Sequence, residues 1–439
     1  MTAAFIEAAI WHGTLERAEA ILAAHPEVAT SGIHVAAVLG DDAAVRRYLA
    51  EDRASATATS PPYGGDALNY LGLSKYLRLD RSRTGAFLRA ATALLDAGAD
   101  PNTGFWTKGR YPERETALYG AAGVAHHPEL TRLLLERGAD PNDEEVAYHS
   151  PETHDNAAMQ LVVETGKLTA ESLSLMLIRK HDWHDFEGVK YLLEHGADPN
   201  HERHRGRLAI HHAIARDNDL RIVALLLDHG ADPLRRQDGI TAVARAARRG
   251  RGDLLALLEQ RGVAVALEGE GVDRLIAACA RGDEAQVHAI ADREPERVRE
   301  VVARGGKLLA EFAGTWNTEG VRLLLDLGVP VAALYEGDGY FDVAEDSTAL
   351  HVAAWKGLPG AVKLLIGRGA PVDAKDGKGR TPLALAVKAC VDSYWTHRRT
   401  PESVKALLDA GASVKEVVYP SGYADVDDLL RRHGAGTPT

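Results

Sequence analysis

Thr348-Ala-Leu-His-Val-Ala-Ala-Trp-Lys-Gly357 and Ala361-Val-Lys-Leu-Leu-Ile-Gly-Arg-Gly-Ala370 decide how this chain is read. Thr381-Pro-Leu-Ala-Leu385 restarts the pattern 33 residues after Thr348. A threonine ahead of an apolar run is a helix N-cap, and a Gly-Ala after a leucine pair is a helix stop. The stretch therefore predicts two short helices joined by a tight turn. Such a pair has one apolar face and cannot form a core alone, so a fixed period of this length calls for stacked copies.

Copies run along most of the chain. Clear openings fall at Thr116, Leu208, Thr241, Asp273, Lys307, Thr348 and Thr381, and from Leu208 they are 33, 32, 34, 41 and 33 residues apart. Gly-Ala-Asp-Pro-Asn recurs at 98–102, 138–142 and 196–200, with Gly230-Ala-Asp-Pro-Leu234 as a near match. Its glycine suits a left-handed helix stop and its proline forbids continuation. The period, the Thr-Pro-Leu-His-x-Ala type of opening and the leucine pair before Gly-Ala resemble the ankyrin repeat. His34, His211 and His351 keep that family's histidine.

The resemblance implies an all-α ankyrin-repeat solenoid of about twelve stacked helix pairs, with short finger loops and several inserts. The expected organisation is N-terminal pairs over 1–57, irregular repeats with inserts over 58–207, regular repeats over 208–421, and a capping helix and tail over 422–439. The third pair is expected to have one long first helix over 67–79. The stretch 389–403 resembles an insert of bacterial ankyrin-type proteins, which implies a bacterial source.

Composition bounds the function. With 51 Lys and Arg against 63 Asp and Glu, the formal charge is −12, which argues against nonspecific binding to nucleic acid or an anionic membrane. No apolar run approaches the ~18 residues of a membrane span, and the start lacks a basic signal-peptide region. Cys279 and Cys390 offer no disulfide framework, so a cytoplasmic setting is expected.

Three concentrations of residues stand out. Eleven of the 19 histidines lie between His126 and His212. Among them, His149, His154, His181 and His184, with Tyr148 and Trp183, are the candidates for acid–base chemistry, because histidine titrates near neutral pH. The His181/His184 and His201/His204 pairs have a spacing that metal ligands use, but no Cys or His-Glu-x-x-His joins them, so no metal and no cofactor are expected. Second, the two residues after the Ala-Ala core face a concave groove, by the resemblance. There Arg216, Arg248, Arg249 and Arg281 recur, and the loop adds Arg235 and Arg236. Guanidinium groups suit carboxylates and phosphates. Third, Trp11 and Trp355 take groove positions, while Trp183, Tyr394 and Trp395 lie in inserts, where aromatics serve as recognition anchors.

Two functions follow as expectations. The first is a binding module that holds a protein or peptide with acidic groups, or a small anionic ligand. The second is a cofactor-independent lyase, cyclase or hydrolase whose pocket is built from the central histidines.

Overall fold

Each opening found in the sequence falls just before a helix or in its first turn. Ala209–Ala215, Ala242–Arg248, Ala349–Trp355 and Pro382–Val391 follow Leu208, Thr241, Thr348 and Thr381. The threonine hydroxyls of Thr116, Thr241 and Thr381 each accept the backbone N–H three residues on. Thr348 closes a reciprocal capping box with His351. The computed structural model describes residues 1–202, 206–263, 271–393 and 395–436.

The chain forms two compact units, Met1–Asp232 and Pro233–Thr439. In each, first helices stack on first helices and second on second. In the first unit Ile33–Leu39 packs on Ala67–Gly72, and Asp42–Glu51 on Thr84–Ala97. In the second, Gly305–Ala313, Ala349–Trp355 and Pro382–Val391 form the inner row. The inner helices are alanine-rich because they are enclosed by neighbours: Ala36, Ala37, Ala246, Ala247, Ala353 and Ala354 are all buried. Leucine and valine from the outer helices complete the core, and full burial of each contributes about 1.5–3 kcal/mol. Strands are few among the described residues. Gly104–Trp106 pairs with Arg114–Thr116, and Leu334–Tyr335 with Ser347–Thr348, both antiparallel.

The Gly-Ala-Asp-Pro-Asn motif has a second use beyond stopping helices. Its aspartate accepts the backbone N–H of its asparagine, as Asp100 does from Asn102 at 2.9 Å. The asparagine then clamps the next repeat from both sides. Asn102 Nδ2 donates to the Gly138 carbonyl at 3.1 Å, and its Oδ1 accepts from Asp140 N at 2.8 Å. Asn142 does the same to Lys167 and Thr169, and Asn200 to Gly230 and Asp232.

Inner-helix C-termini are held by side chains from other repeats. Lys75 Nζ donates to Ala8 O at 2.7 Å, Arg81 to Ala125 O at 2.7 Å, and Arg83 to Leu39 O. Asn218 reaches His181 O at 2.9 Å, and Asn317 reaches Gly250 O and Ala280 O at 2.7 and 2.6 Å. Cations placed there also oppose the negative end of the helix dipole.

The long helix expected over 67–79 is broken. Ala67–Gly72 ends, Ser74 reverses into the carbonyl of Val38 at 2.6 Å, and Lys75–Leu79 starts anew. The break is what aims Lys75 and Arg78 at the first repeat. Elsewhere a third helix stands where a finger loop belongs: Pro26–Thr30, Arg53–Ala56 and Pro295–Ala303. Two of these begin with proline, which suits a first helical position because its missing N–H is unbonded there anyway.

Candidate functional site

The sequence-predicted residues separate into three environments. Tyr148 and His149 lie at the end of the inner helix Glu144–His149 and belong to a line of charged groups in the first unit. His149 Nδ1 donates to Glu152 Oε2 at 2.7 Å, and its Nε2 donates to Glu145 Oε2 at 3.2 Å. Glu152 also binds Arg179, whose Nη1 donates to Asp182 Oδ2 at 2.5 Å. Asp182 Oδ1 accepts from His212 Nε2 at 2.9 Å and from Arg216 Nε at 2.6 Å. The Tyr148 ring lies under the Arg179 guanidinium, 4.0 Å away.

Electrostatics follow from this alternation. Burial alone would depress the pKa of His149, but bonds to Glu145 and Glu152 outweigh it and raise it to about 9. His149 is therefore an imidazolium at neutral pH and a poor general base. Burial raises the Asp182 carboxyl, yet His212 and Arg216 pull it well below the carboxylate range. His212 is buried and shifted down, so it bonds Asp182 as a neutral ring. Counted together, Glu145, Glu152 and Asp182 are matched by His149, Arg179 and Arg216.

The other histidines sit apart. His181 is enclosed, gives its Nδ1 to its own helix at Leu177 O (2.6 Å), and burial drives its pKa to about 3. His154 meets the edge of Trp183, ring centroids 5.7 Å apart. His184 has φ 51° in the turn between Ala170–Asp182 and Phe186–Glu194. Beside them Lys180 is fully buried on Asp185, 2.7 Å away, and on the Thr153 carbonyl. Among the described residues no group of three or more His, Cys, Asp or Glu is arranged to hold a metal ion. His204, like Tyr394, lies outside the described residues.

The arginines are engaged by the chain's own carboxylates. Arg248 forks onto Asp273 at 2.9 and 2.8 Å, Arg249 meets Glu311 at 2.9 Å, and Arg281 meets Glu259 at 3.1 Å. Arg236 caps Gly239 O at 2.6 Å, and Arg235 is half-buried. The expectation of arginines open to an acidic ligand is corrected for Arg248 and Arg249, because Asp273 already fills the Arg248 fork and Glu311 holds the buried Arg249.

Two of the aromatic anchors are core residues. Trp395 is 1% exposed and Trp355 4%, both in a cluster with Tyr335, Phe341, Val343 and Leu385. Inserts 331–347 and 388–400 fold back onto the inner helices, with Trp355 Nε1 donating to Phe341 O at 2.6 Å. Lys356 sits over the Phe341 ring at 4.3 Å and is buried there. Trp183 is partly open.

Trp11 is half-buried, and it leads to groups that sequence reasoning missed. Its ring meets Tyr63 edge-on at 4.8 Å and Phe105 at 5.6 Å, and Tyr63 stacks on Phe105 at 5.0 Å. Its Nε1 donates to Glu115 Oε2 at 3.4 Å. Alternation along Arg114–Thr116 turns Glu115 away from its neighbours. Arg114 and Thr116 line a cavity of about 290 Å³ on the other side, with Trp106, Glu113, Asp140, Asp143 and Glu145. Glu145 and His149 share one face of Glu144–His149 at a spacing of four, with Glu152 in the turn three residues on, and Arg179 and Asp182 share a face of Ala170–Asp182; that signal was readable in the sequence.

Family models for ankyrin repeats match this chain twice: one of three copies over residues 175–268, and one of many copies over 324–386. This chain is an ankyrin-repeat protein. Similar curated proteins match part of the chain. Serine/threonine-protein kinase 12 of Arabidopsis thaliana is 42% identical over 83 residues, 19% of this chain and 16% of that protein. Protein glp-1 of Caenorhabditis elegans is 28% identical over 182 residues, 36% of this chain and 14% of that one. The chain thus spans a small fraction of either relative. Among solved structures, the human ASB11 ankyrin repeat domain is similar at 20% identity and TM-score 0.25, covering 54% of this chain and 98% of that one.

Proposed function

We propose that this ankyrin-repeat protein is a binding scaffold that holds a protein or peptide segment along the inner face of its first unit. Ankyrin stacks expose long continuous surfaces, and the repeats themselves need only small apolar inner helices. The observation that carries the reading is the line of ionisable side chains from Glu145 to Arg216, which apolar stacking of helices does not require. Catalysis by the central histidines draws no support from their geometry, since His149 is clamped as a cation and His181 is enclosed. An acidic partner at Arg216, Arg248, Arg249 or Arg281 would first have to displace a resident carboxylate.

A photo-crosslinking amino acid placed at exposed His12, beside the inner face, tests the reading against one at exposed Arg132 on the outer helix Pro128–Glu136. In extracts of the source organism, position 12 should capture a discrete protein that position 132 does not. Capture of no protein at position 12, or the same proteins at both, rejects the reading.

A further inference from the structure

We propose that Glu115 is the receptor for a basic side chain, lysine or arginine, carried by the partner segment. The proposal rests on the binding reading above and adds the chemistry of one contact.

Along the inner face of the first unit several carboxylates are held by cations, and Glu115 is not. Glu145 and Glu152 hold His149, and Asp182 is held by Arg179 and Arg216. Glu115 is 5% exposed, yet among the described residues no Lys, Arg or His lies within ion-pair reach of its carboxylate. Its side-chain contact is the long bond from Trp11 Nε1 to Oε2; Oε1 accepts no hydrogen bond among the described residues. Burial, with Glu145 and Glu113 nearby, raises its pKa to about 7. A buried carboxylate without a cation is costly unless something completes it.

The surroundings suit a cation rather than a neutral donor. Trp11 and Tyr63 are half-buried, Trp11 edge-on to Tyr63 and Phe105 and Tyr63 stacked on Phe105, so an aromatic cluster adjoins the carboxylate. Aromatic faces attract ammonium and guanidinium groups. His149, whose charge reaches the Glu115 carboxyl, is committed to Glu145 and Glu152, and Lys75 Nζ and Arg78 Nη2 bond Ala8 O at 2.7 Å and Gly13 O at 2.5 Å. Backbone fixes the acid in place, since Asn69 Nδ2 donates to Glu115 O at 2.8 Å and Phe105 pairs with Glu115 across the hairpin.

The test is a random peptide library displayed on phage and selected on the full chain and on Glu115→Gln. Peptides enriched on the wild type should share a Lys or Arg. Replacing that residue by alanine should weaken binding on the order of tenfold or more, as should Glu115→Gln for the same peptides. Glu115→Gln should melt at the same or a higher temperature, because the change removes a buried, unpaired charge. If it fails to fold, Glu115→Asp, which keeps the charge but draws the carboxylate back by one carbon, carries the comparison, with weaker binding of the same peptides expected. Enriched peptides that need no basic residue, or that bind the variant equally, overturn the Glu115 site and leave the binding reading standing. No enrichment over an unrelated immobilised protein overturns both.

Discussion

Lys180 shows how far single residues depart from what the sequence suggests. It lies in a histidine-rich stretch, yet the structure encloses it completely against Asp185 and the Thr153 carbonyl, with Asn156 donating to the same carboxylate at 2.8 Å. Lys180→Met leaves Asp185 buried without its cation and should cost about 3–5 kcal/mol in urea unfolding. A loss below about 1 kcal/mol would mean the pair is solvated. Arg249 is similar. Sequence reasoning takes it for an exposed charge whose replacement moves stability by less than ~0.5 kcal/mol. Its buried contact with Glu311 at 2.9 Å instead predicts that Arg249→Glu destabilises by several times that amount, on the order of 3 kcal/mol, read as a fall in melting temperature. The distinction was not legible because Glu311 lies 62 residues further on and only the stacking of repeats brings it close. His149 gives a pH signature. Its pKa is raised from 6.5 to about 9 in the folded chain, so its stabilisation is full below 6.5 and is lost as pH rises through about 9. The stability gap between wild type and His149→Gln should therefore shrink across that interval. A gap that stays constant there contradicts the Glu145–His149–Glu152 clamp.

At the scale of elements, most helix starts were legible because caps and stops are local signals. Thr241, Thr348 and Thr381 all open inner helices, and the glycines of the recurring pentapeptide take φ from 85° to 109°. What local reading could not supply was the interruption after Gly72. Its cause is tertiary: Ser74 finds its acceptor on Val38, one repeat back. Close approach between neighbouring inner helices adds a further constraint, since a Cβ on Gly120 would lie 2.5 Å from the backbone carbon of Gly72. The asparagine clamp gives this scale its prediction. Asn102→Ala removes two bonds between consecutive repeats, to Gly138 and Asp140, and should cost about 1–2 kcal/mol. Chemical denaturation measures it, and an unchanged midpoint would show that water replaces the clamp without loss.

Across the whole molecule, repetition was the legible property and the site was not. A periodic sequence announces stacking, while the Glu115 environment draws on Trp11, Tyr63, Asn69 and Phe105, contributed by separate repeats and inserts that share no motif. The inserts also divide in role: 331–347 and 388–400 fill the inner side of the second unit, whereas the hairpin around Phe105 leaves Trp106 63% exposed. No helix among the described residues is long and apolar enough to cross a membrane. The central claim is that the inner face of the first unit is where a protein partner binds. Hydrogen–deuterium exchange on the intact chain, with and without the protein crosslinked through position 12, addresses it directly. Bound partner should slow exchange in Trp11–Gly13, 104–116 and 144–152; slowing confined to the outer helices Thr84–Ala97 and Pro128–Glu136, or none at all, would contradict it.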